Sequence, residues 1–250
     1  MFIDPASAAL FNLPTLGFLW LGAFVGAVAS GGAGFAFAIT AASLWLHVLD
    51  PIRAALLLVA CSLLLQLFTI WPLRHFIDIQ RLWPFVIGGL VGIPIGVALL
   101  AYTQADIVKV ALGVFLTLVG LYALFAPQLP IVTGGGRAAD ATVGFVGGIL
   151  GGLGGFSGVL PTIWTQLRGW PKNIARGVYQ PFIVVAQLVT LVMIGLISFD
   201  KMAAVLFVLT LPPLIVGAWV GWTIYGRLDE RRFRQMLAVL LVASGLTLVF

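Results

Sequence analysis

Charge is what this sequence most lacks: of its 250 residues only 8% are Asp, Glu, Lys or Arg, against 62% hydrophobic, and the mean hydropathy is +1.16. Soluble globular domains carry about 25% charged residues, so the chain reads as an all-α polytopic membrane protein. The charges present sum to +5, but they gather in short loops with no basic stripe or polar domain behind them, which argues against nucleic-acid binding.

Cysteine is nearly absent as well. Cys61 stands alone, cannot close an internal disulfide, and sits in an apolar run where it reads as packing. His47 and His75 stand apart near loops, and no metal-ligand cluster, nucleotide loop or catalytic triad is present. Neither an enzyme nor a cofactor is expected. No Asp or Glu falls inside an expected span, which leaves a carboxylate proton relay without a candidate. The start, Met1-Phe2-Ile3-Asp4-Pro5, has no basic n-region, so a cleaved signal peptide is not expected and the first apolar segment should be retained.

Glycine, by contrast, is abundant, with 30 residues. Its densest run is Gly147-Gly148-Ile149-Leu150-Gly151-Gly152-Leu153-Gly154-Gly155-Phe156-Ser157-Gly158-Val159-Leu160-Pro161-Thr162, and a worn copy occurs at Gly26-Ala27-Val28-Ala29-Ser30-Gly31-Gly32-Ala33-Gly34-Phe35. A shift of 121 places Gly26 on Gly147, Gly31 on Gly152, Gly34 on Gly155 and Phe35 on Phe156, as a duplication would. Each helical glycine costs about 1 kcal/mol against alanine, so the chain is expected to break there. Broken backbone survives at membrane depth only where it is buried in protein or lines a wet cavity, and paired breaks in two repeats point to a transport site.

The rest of the chain falls into two similar halves, with repeat boundaries read as 1–133 and 134–250. Residues 15–48 form an uncharged apolar stretch too long for one crossing of a core about 30 Å thick, cut by the first glycine cluster. Expected spans follow at 54–71, 83–101 and 107–125. A linker contains Pro127, Pro130, Gly134, Gly135, Gly136, Arg137 and Asp140, and the plan repeats with a broken segment over 142–170 and spans at 178–197, 203–224 and 236–250. Gly88, Gly92 and Gly96, four apart on one face, read as a close-packing seam. A shift of 125 aligns Gly92 with Gly217, Gly96 with Gly221 and Gly120 with Gly245.

Two topologies are open. If each broken segment is a re-entrant hairpin followed by three spans, Arg74, Arg81, Arg137, Arg168, Lys172, Arg176, Arg227, Arg231, Arg232 and Arg234 share one side, ten cations against Arg53, Lys109 and Lys201 on the other. If the segments cross fully, eight spans in parallel repeats divide the cations nine against four. The positive-inside rule places the N-terminus outside in both. Inverted repeats, the commoner route to alternating access, favour the hairpins.

A half-helix starting after the second cluster, with Ser157 as N-cap and Pro161 in its first turn, would aim unpaired N–H groups and a positive dipole end at the break, which suits an anion. The first copy, around Gly34 and Phe35 with Thr40 and Ser43 beyond, would face it from the opposite side near the bilayer midplane. Gly154, Gly155, Phe156, Ser157 and Gly158 are accordingly read as substrate-binding. Arg53 and Arg176 follow the two broken segments in matching places and could fork onto an oxyanion or snorkel as interfacial anchors. Gln66 and Gln187, superposed by the same shift of 121, could donate to a substrate or brace helices. Trp45, Trp164 and Trp170 could line the path but read first as belt or core residues.

The duplicated halves, the Gly-rich GxGGF-like segments, the short length and the stretch Pro171-Lys172-Asn173-Ile174-Ala175-Arg176-Gly177 together resemble the TauE/SafE sulfite exporter family, also called the toluene sulfonate uptake permease family, over nearly the whole chain. The first cluster departs from the second in having Ala33 where Gly154 stands. The resemblance implies multi-pass transport across a bacterial inner membrane of a small sulfur-containing anion, such as sulfite or an organosulfonate, with the lipid bilayer as surround and a homodimer as an allowed assembly. The competing reading is a structural or assembly subunit whose glycines serve packing alone.

Overall fold

The computed structural model describes residues 12–33, 36–125, 131–197, 201–225 and 230–250, which form α-helices and no strand. In chain order these are α1 (Leu13–Ala33), α2 (Phe37–Trp45), α3 (Pro51–Ile70), a 3-10 helix (Trp71–Phe76), α4 (Ile79–Tyr102), α5 (Ala105–Phe125), α6 (Gly136–Gly154), α7 (Val159–Leu167), α8 (Lys172–Ile197), α9 (Lys201–Tyr225) and α10 (Glu230–Val249). A long helix, a nine-residue helix and three long helices thus occur in the same order twice. Among the described residues six helices, α1, α3, α4, α5, α8 and α9, are long and apolar enough to cross a membrane. Large apolar side chains such as Ile87, Val91, Leu118, Trp219 and Trp222 face outward, where lipid rather than water would meet them. The chain is a polytopic membrane protein.

Local chemistry explains several helix starts. Asp50 accepts the Arg53 N–H at 3.0 Å with Pro51 in the first turn of α3, and Asp78 accepts the Arg81 N–H at 3.1 Å to open α4. Each carboxylate satisfies a helix-end donor and also pairs with the following guanidinium, at 3.6 Å and 3.3 Å respectively.

Both broken segments turn back on themselves, with one long and one short arm rather than two half-helices. On α1, Gly22 leaves room for the Trp45 indole and Gly26 for Phe37, and the Trp45 Nε1–H donates to the Leu19 carbonyl at 3.1 Å, so α2 runs antiparallel to α1. In the second segment the Trp164 Nε1–H reaches Asp140 Oδ1 at 2.7 Å, and the Arg168 guanidinium donates to the carbonyls of Gly134 and Gly136 at 3.1 and 3.0 Å. The chain therefore leaves the second hairpin beside the point where it entered.

Contacts between loops fit this arrangement and not eight full crossings. Arg81 lies 5.0 Å from the Trp170 ring and Arg137 5.6 Å from the Trp83 ring, which gathers Arg81, Arg137 and Arg168 at one end. His47 meets Thr247 at the other end, Nε2 to Oγ1 3.3 Å. Burial, and after it the nearby Lys109 ammonium, hold His47 below the usual histidine range. Of the expected linker, Pro127 and Pro130 lie outside the described residues, and Asp140 is no linker residue: it sits in the second turn of α6, buried. Its carboxylate is tolerated there because Arg168 stands 3.2 Å away.

The hairpins dock on the opposite half of the chain. On α4, a Cβ at Gly88, Gly92 or Gly96 would strike the Ala141, Phe145 or Ile149 carbonyl of α6, and one at Gly144, Gly148 or Gly152 on α6 would strike the backbone of α4. The seam predicted from the spacing of Gly88, Gly92 and Gly96 is thus two-sided. The long arm α1 packs in the same way on α9, where a Cβ at Gly217 or Gly221 would strike the Phe24 or Val28 carbonyl. Small residues let the backbones approach to a distance that larger ones forbid. Between these pairs α3 and α8 form the centre, and Cys61, buried, touches Thr210 of α9 at 3.6 Å.

Because backbone rather than a mobile side chain stands in the way, Gly92→Val should force α4 and α6 apart. Overpacking costs about 1–3 kcal/mol, and a chain of this size loses about 2–4 °C of melting temperature per kcal/mol. The detergent-purified variant is expected to melt about 2–12 °C lower. Gly195→Val, where nothing lies within 4 Å, should melt like the wild type.

Candidate functional site

The second break is built from its own backbone outward. α6 stops at Gly155, which takes φ 81°, and its N–H bonds the Gly151 carbonyl at 2.7 Å while the Phe156 N–H reaches Leu150 O at 3.3 Å. This is a left-handed glycine stop, a conformation side chains resist. Phe156 turns inward, 1% exposed, with its ring 5.7 Å from that of Phe115. Gly154 presses on the same ring: a Cβ there would lie 2.8 Å from it.

Ser157 does not cap α7. Gly158 holds the cap position with helical φ −77° and ψ −17°, and no side chain closes the helix start. Because the chain is already helical at Gly158, a hydroxyl one residue earlier does not sit where a cap must. The Ser157 hydroxyl is fully buried and has no partner among the described residues. Pro161 falls in the first turn, as its spacing implies.

At the first break Gly34 and Phe35 lie outside the described residues. The start of α2 is described, with Ala36 at the cap position and no side-chain cap. From there the two short helices match closely. Thr40 and Thr162 each stand fourth in their helix, and the Ser43 and Thr165 hydroxyls donate to the Thr40 and Thr162 carbonyls at 2.7 and 3.0 Å. Both threonine hydroxyls are buried and unpartnered among the described residues.

The second break meets the start of α2. A Cβ on Gly155 would lie 3.2 Å from Val59 Cγ2, midway along α3, and 3.6 Å from Ala38 Cβ in the first turn of α2. The short helices thus approach one region from opposite ends, and each offers it N–H groups without intrahelical partners and a positive dipole end. Glycines outside this point have other work: Gly148 and Gly152 admit α4, while Gly147 and Gly151 make room for Pro161 and Ser157. The packing reading holds for those four and leaves Gly155 as the residue whose backbone conformation demands glycine.

The central helices wall the region. The Gln187 amide donates to the Ser62 hydroxyl at 2.6 Å, bracing α8 to α3, and its Oε1 has no partner among the described residues. Gln66, equally buried, accepts from the Thr69 hydroxyl at 3.0 Å. The two arginines are not brought to the breaks. Arg53 sits in the first turn of α3 beside Asp50, about 9 Å along the axis from Val59. Arg176 is half-buried in the second turn of α8, next to Gly177, which abuts the Phe76 carbonyl at the cation-rich end. Trp45 and Trp164 hold the arms of the hairpins and Trp170 stacks under Arg81.

Asp140 is the sole charged residue in the buried set among those described, and it is tied to Arg168 and Trp164 at the base of the second hairpin. An anion between the breaks would therefore be held by helix ends and hydroxyls rather than by a buried cation. Sequence reasoning passed over Thr162, Thr190 and Gln180, all buried with unpartnered polar atoms among the described residues. A usable signal existed: Thr40 and Ser43 map onto Thr162 and Thr165 at a shift of 122.

The profile of one protein family, described as Sulfite exporter TauE/SafE, matches residues 18–248. No curated protein and no solved structure matches the chain.

The Asp140–Arg168 latch generates a test of the hairpin's anchorage. Arg168→Met strands a buried carboxylate, a change that costs about 3–5 kcal/mol, and should lower resistance to chemical unfolding accordingly. Adding Asp140→Asn should recover most of the loss, since the uncompensated charge is then gone.

Proposed function

The chain belongs to the sulfite exporter TauE/SafE family, and on that premise we propose that it carries a small sulfur-containing oxyanion, sulfite or an organosulfonate, bound between its two broken segments. The observation that carries this reading is the meeting of two uncapped helix starts at Gly155 and Ala38 beside the unpartnered buried hydroxyls of Thr40, Ser157 and Thr162. Two opposed helix ends, each worth about half a positive charge, offset one negative charge without the desolvation penalty of a buried lysine or arginine. Gly34, Phe35, Gly154, Phe156 and Gly158 shape the breaks in this reading. Gln66 and Gln187 flank the anion, and Arg176 and Arg53 draw it in at the two mouths.

The cation-rich end faces the cytoplasm by the positive-inside rule, and the membrane is the inner membrane of a bacterium, in which the chain works alone or as a homodimer. The repeats, 1–133 and 134–250, derive from one ancestral unit. An inside-negative potential drives a singly charged anion outward by about 2.3 kcal/mol per 100 mV, so export requires no coupling ion. The packing-only alternative accounts for the seams of α4 with α6 and α1 with α9 but supplies no reason for three orphaned hydroxyls at the breaks.

Purified protein in liposomes should release entrapped sulfite faster when a potassium diffusion potential makes the donor compartment negative, and Gly155→Val should abolish that flux while the protein still folds. Flux that ignores the potential and follows a pH gradient alone would refute potential-driven export. Arg176 stands away from the breaks, so Arg176→Lys, which keeps the charge that draws the anion in, should leave sulfite affinity within about twofold and the ligand-free melting temperature unchanged. Arg53→Lys should behave alike, its guanidinium being paired with Asp50.

A further inference from the structure

Helix α8 carries a stripe of polar side chains along one face. Gln187 faces α3, as its bond to Ser62 requires. Gln180 is seven residues earlier and Thr190 three later, which on an α-helix puts all three on that same side. All three are buried, at 0%, 1% and 0% exposure for Gln180, Gln187 and Thr190, and each has a polar atom without a partner among the described residues. The stripe starts at the cation-rich end with Arg176, four residues before Gln180, and runs about 20 Å to Thr190.

Gln180 is the extreme case. Its Nε2 and its Oε1 are both unpartnered among the described residues, so exchanging the two atoms would change nothing. The following residue, Pro181, has no N–H to return to the Gly177 carbonyl one turn back, which adds a further acceptor beside the amide. Burying an amide with neither end satisfied is strongly unfavourable, and a membrane span has no need of glutamine for its own sake. A group that satisfies Gln180 must offer an acceptor to Nε2 and a donor to Oε1 together. A bare sulfate, a deprotonated sulfite or an alkanesulfonate offers acceptors alone.

Building on the central anion site above, we propose that Gln180, about 10 Å along α8 from Gln187, forms a separate station on the substrate's path to that site and determines specificity there, and that the substrate class is a singly charged sulfur oxyanion bearing its own hydroxyl, namely hydrogensulfite or a hydroxyalkanesulfonate. The oxyanion accepts from Nε2 while the hydroxyl donates to Oε1. A site that pairs with a substrate hydroxyl discriminates against the analogue lacking it, because its own buried acceptor is then left bare.

The test compares 2-hydroxyethanesulfonate with ethanesulfonate, equal in charge and differing in one hydroxyl, by calorimetric titration of the full chain in detergent. The wild type should bind the hydroxylated ligand roughly tenfold tighter or more. Gln180→Met, close in shape but without hydrogen-bonding atoms, should bring the two ligands within about twofold and leave the ligand-free melting temperature equal or higher. Gln180→Leu is the second variant should methionine disturb packing. An unchanged preference in the variants, or no preference in the wild type, overturns the role of Gln180. A fall in ligand-free stability with affinities unchanged also overturns it, since Gln180 would then be braced by water. Binding of neither sulfonate nor sulfite by the wild type overturns the central anion site, and this inference with it.

Discussion

Every backbone donor and acceptor at membrane depth must find a partner inside the protein, and the rest of this structure depends on how that demand is met where the helices break. α6 stops at Gly155 by turning its last N–H groups back onto Gly151 and Leu150, yet the start of α7 has no side chain to close it. Such an end is tolerable only if surrounding protein or a ligand wraps it. α3 supplies Val59 and Ser62 on that side, and the first turn of α2 supplies Ala38. The breaks are placed where four segments converge.

That convergence follows from how the halves interlock. The long arm of each hairpin packs against a helix of the other half, α6 on α4 and α1 on α9, with glycines at the contacts. The short arms are thereby directed back toward a common centre from opposite ends. The two hairpins are not equally fastened. The second is closed at its base by the Asp140, Arg168 and Trp164 cluster, whereas the corresponding position of the first is Leu19, whose carbonyl takes a single bond from Trp45. A charged latch at one end and a neutral one at the other make the two faces of the protein energetically different.

The polar content of the interior is small and placed with economy. Hydroxyls on α2 and α7 bond helically to their own backbone at Ser43 and Thr165, while the hydroxyls of Thr40 and Thr162, three residues earlier, have no partner among the described residues. On α8 the free groups fall on one face that looks toward α3. A structure that uses a buried hydroxyl or amide for cohesion completes its hydrogen bonds; here the braced and the bare groups alternate along the same short helices.

Composition and local pattern by themselves determined that the chain is a membrane protein, roughly where its helices run, and that the second glycine cluster breaks one of them. These are properties of short windows: hydropathy over a span and glycine against helix propensity. The doubled Gly-Phe cluster was legible for the same reason, and with it Gly155, Phe156 and Ser157. What the tertiary structure decided depends on which helices become neighbours. Only there does Gly148 part from Gly155, one admitting α4 and the other turning the chain, though both sit in the same run of glycines. Only there does Asp140 leave the linker to meet Arg168, 28 residues on, and Gln187 meet Ser62, 125 residues away. And Ser157, read from its spacing as a cap, caps nothing and has no hydroxyl partner among the described residues, because the sequence shows which residue precedes a helix but not the backbone angle at which the chain enters it.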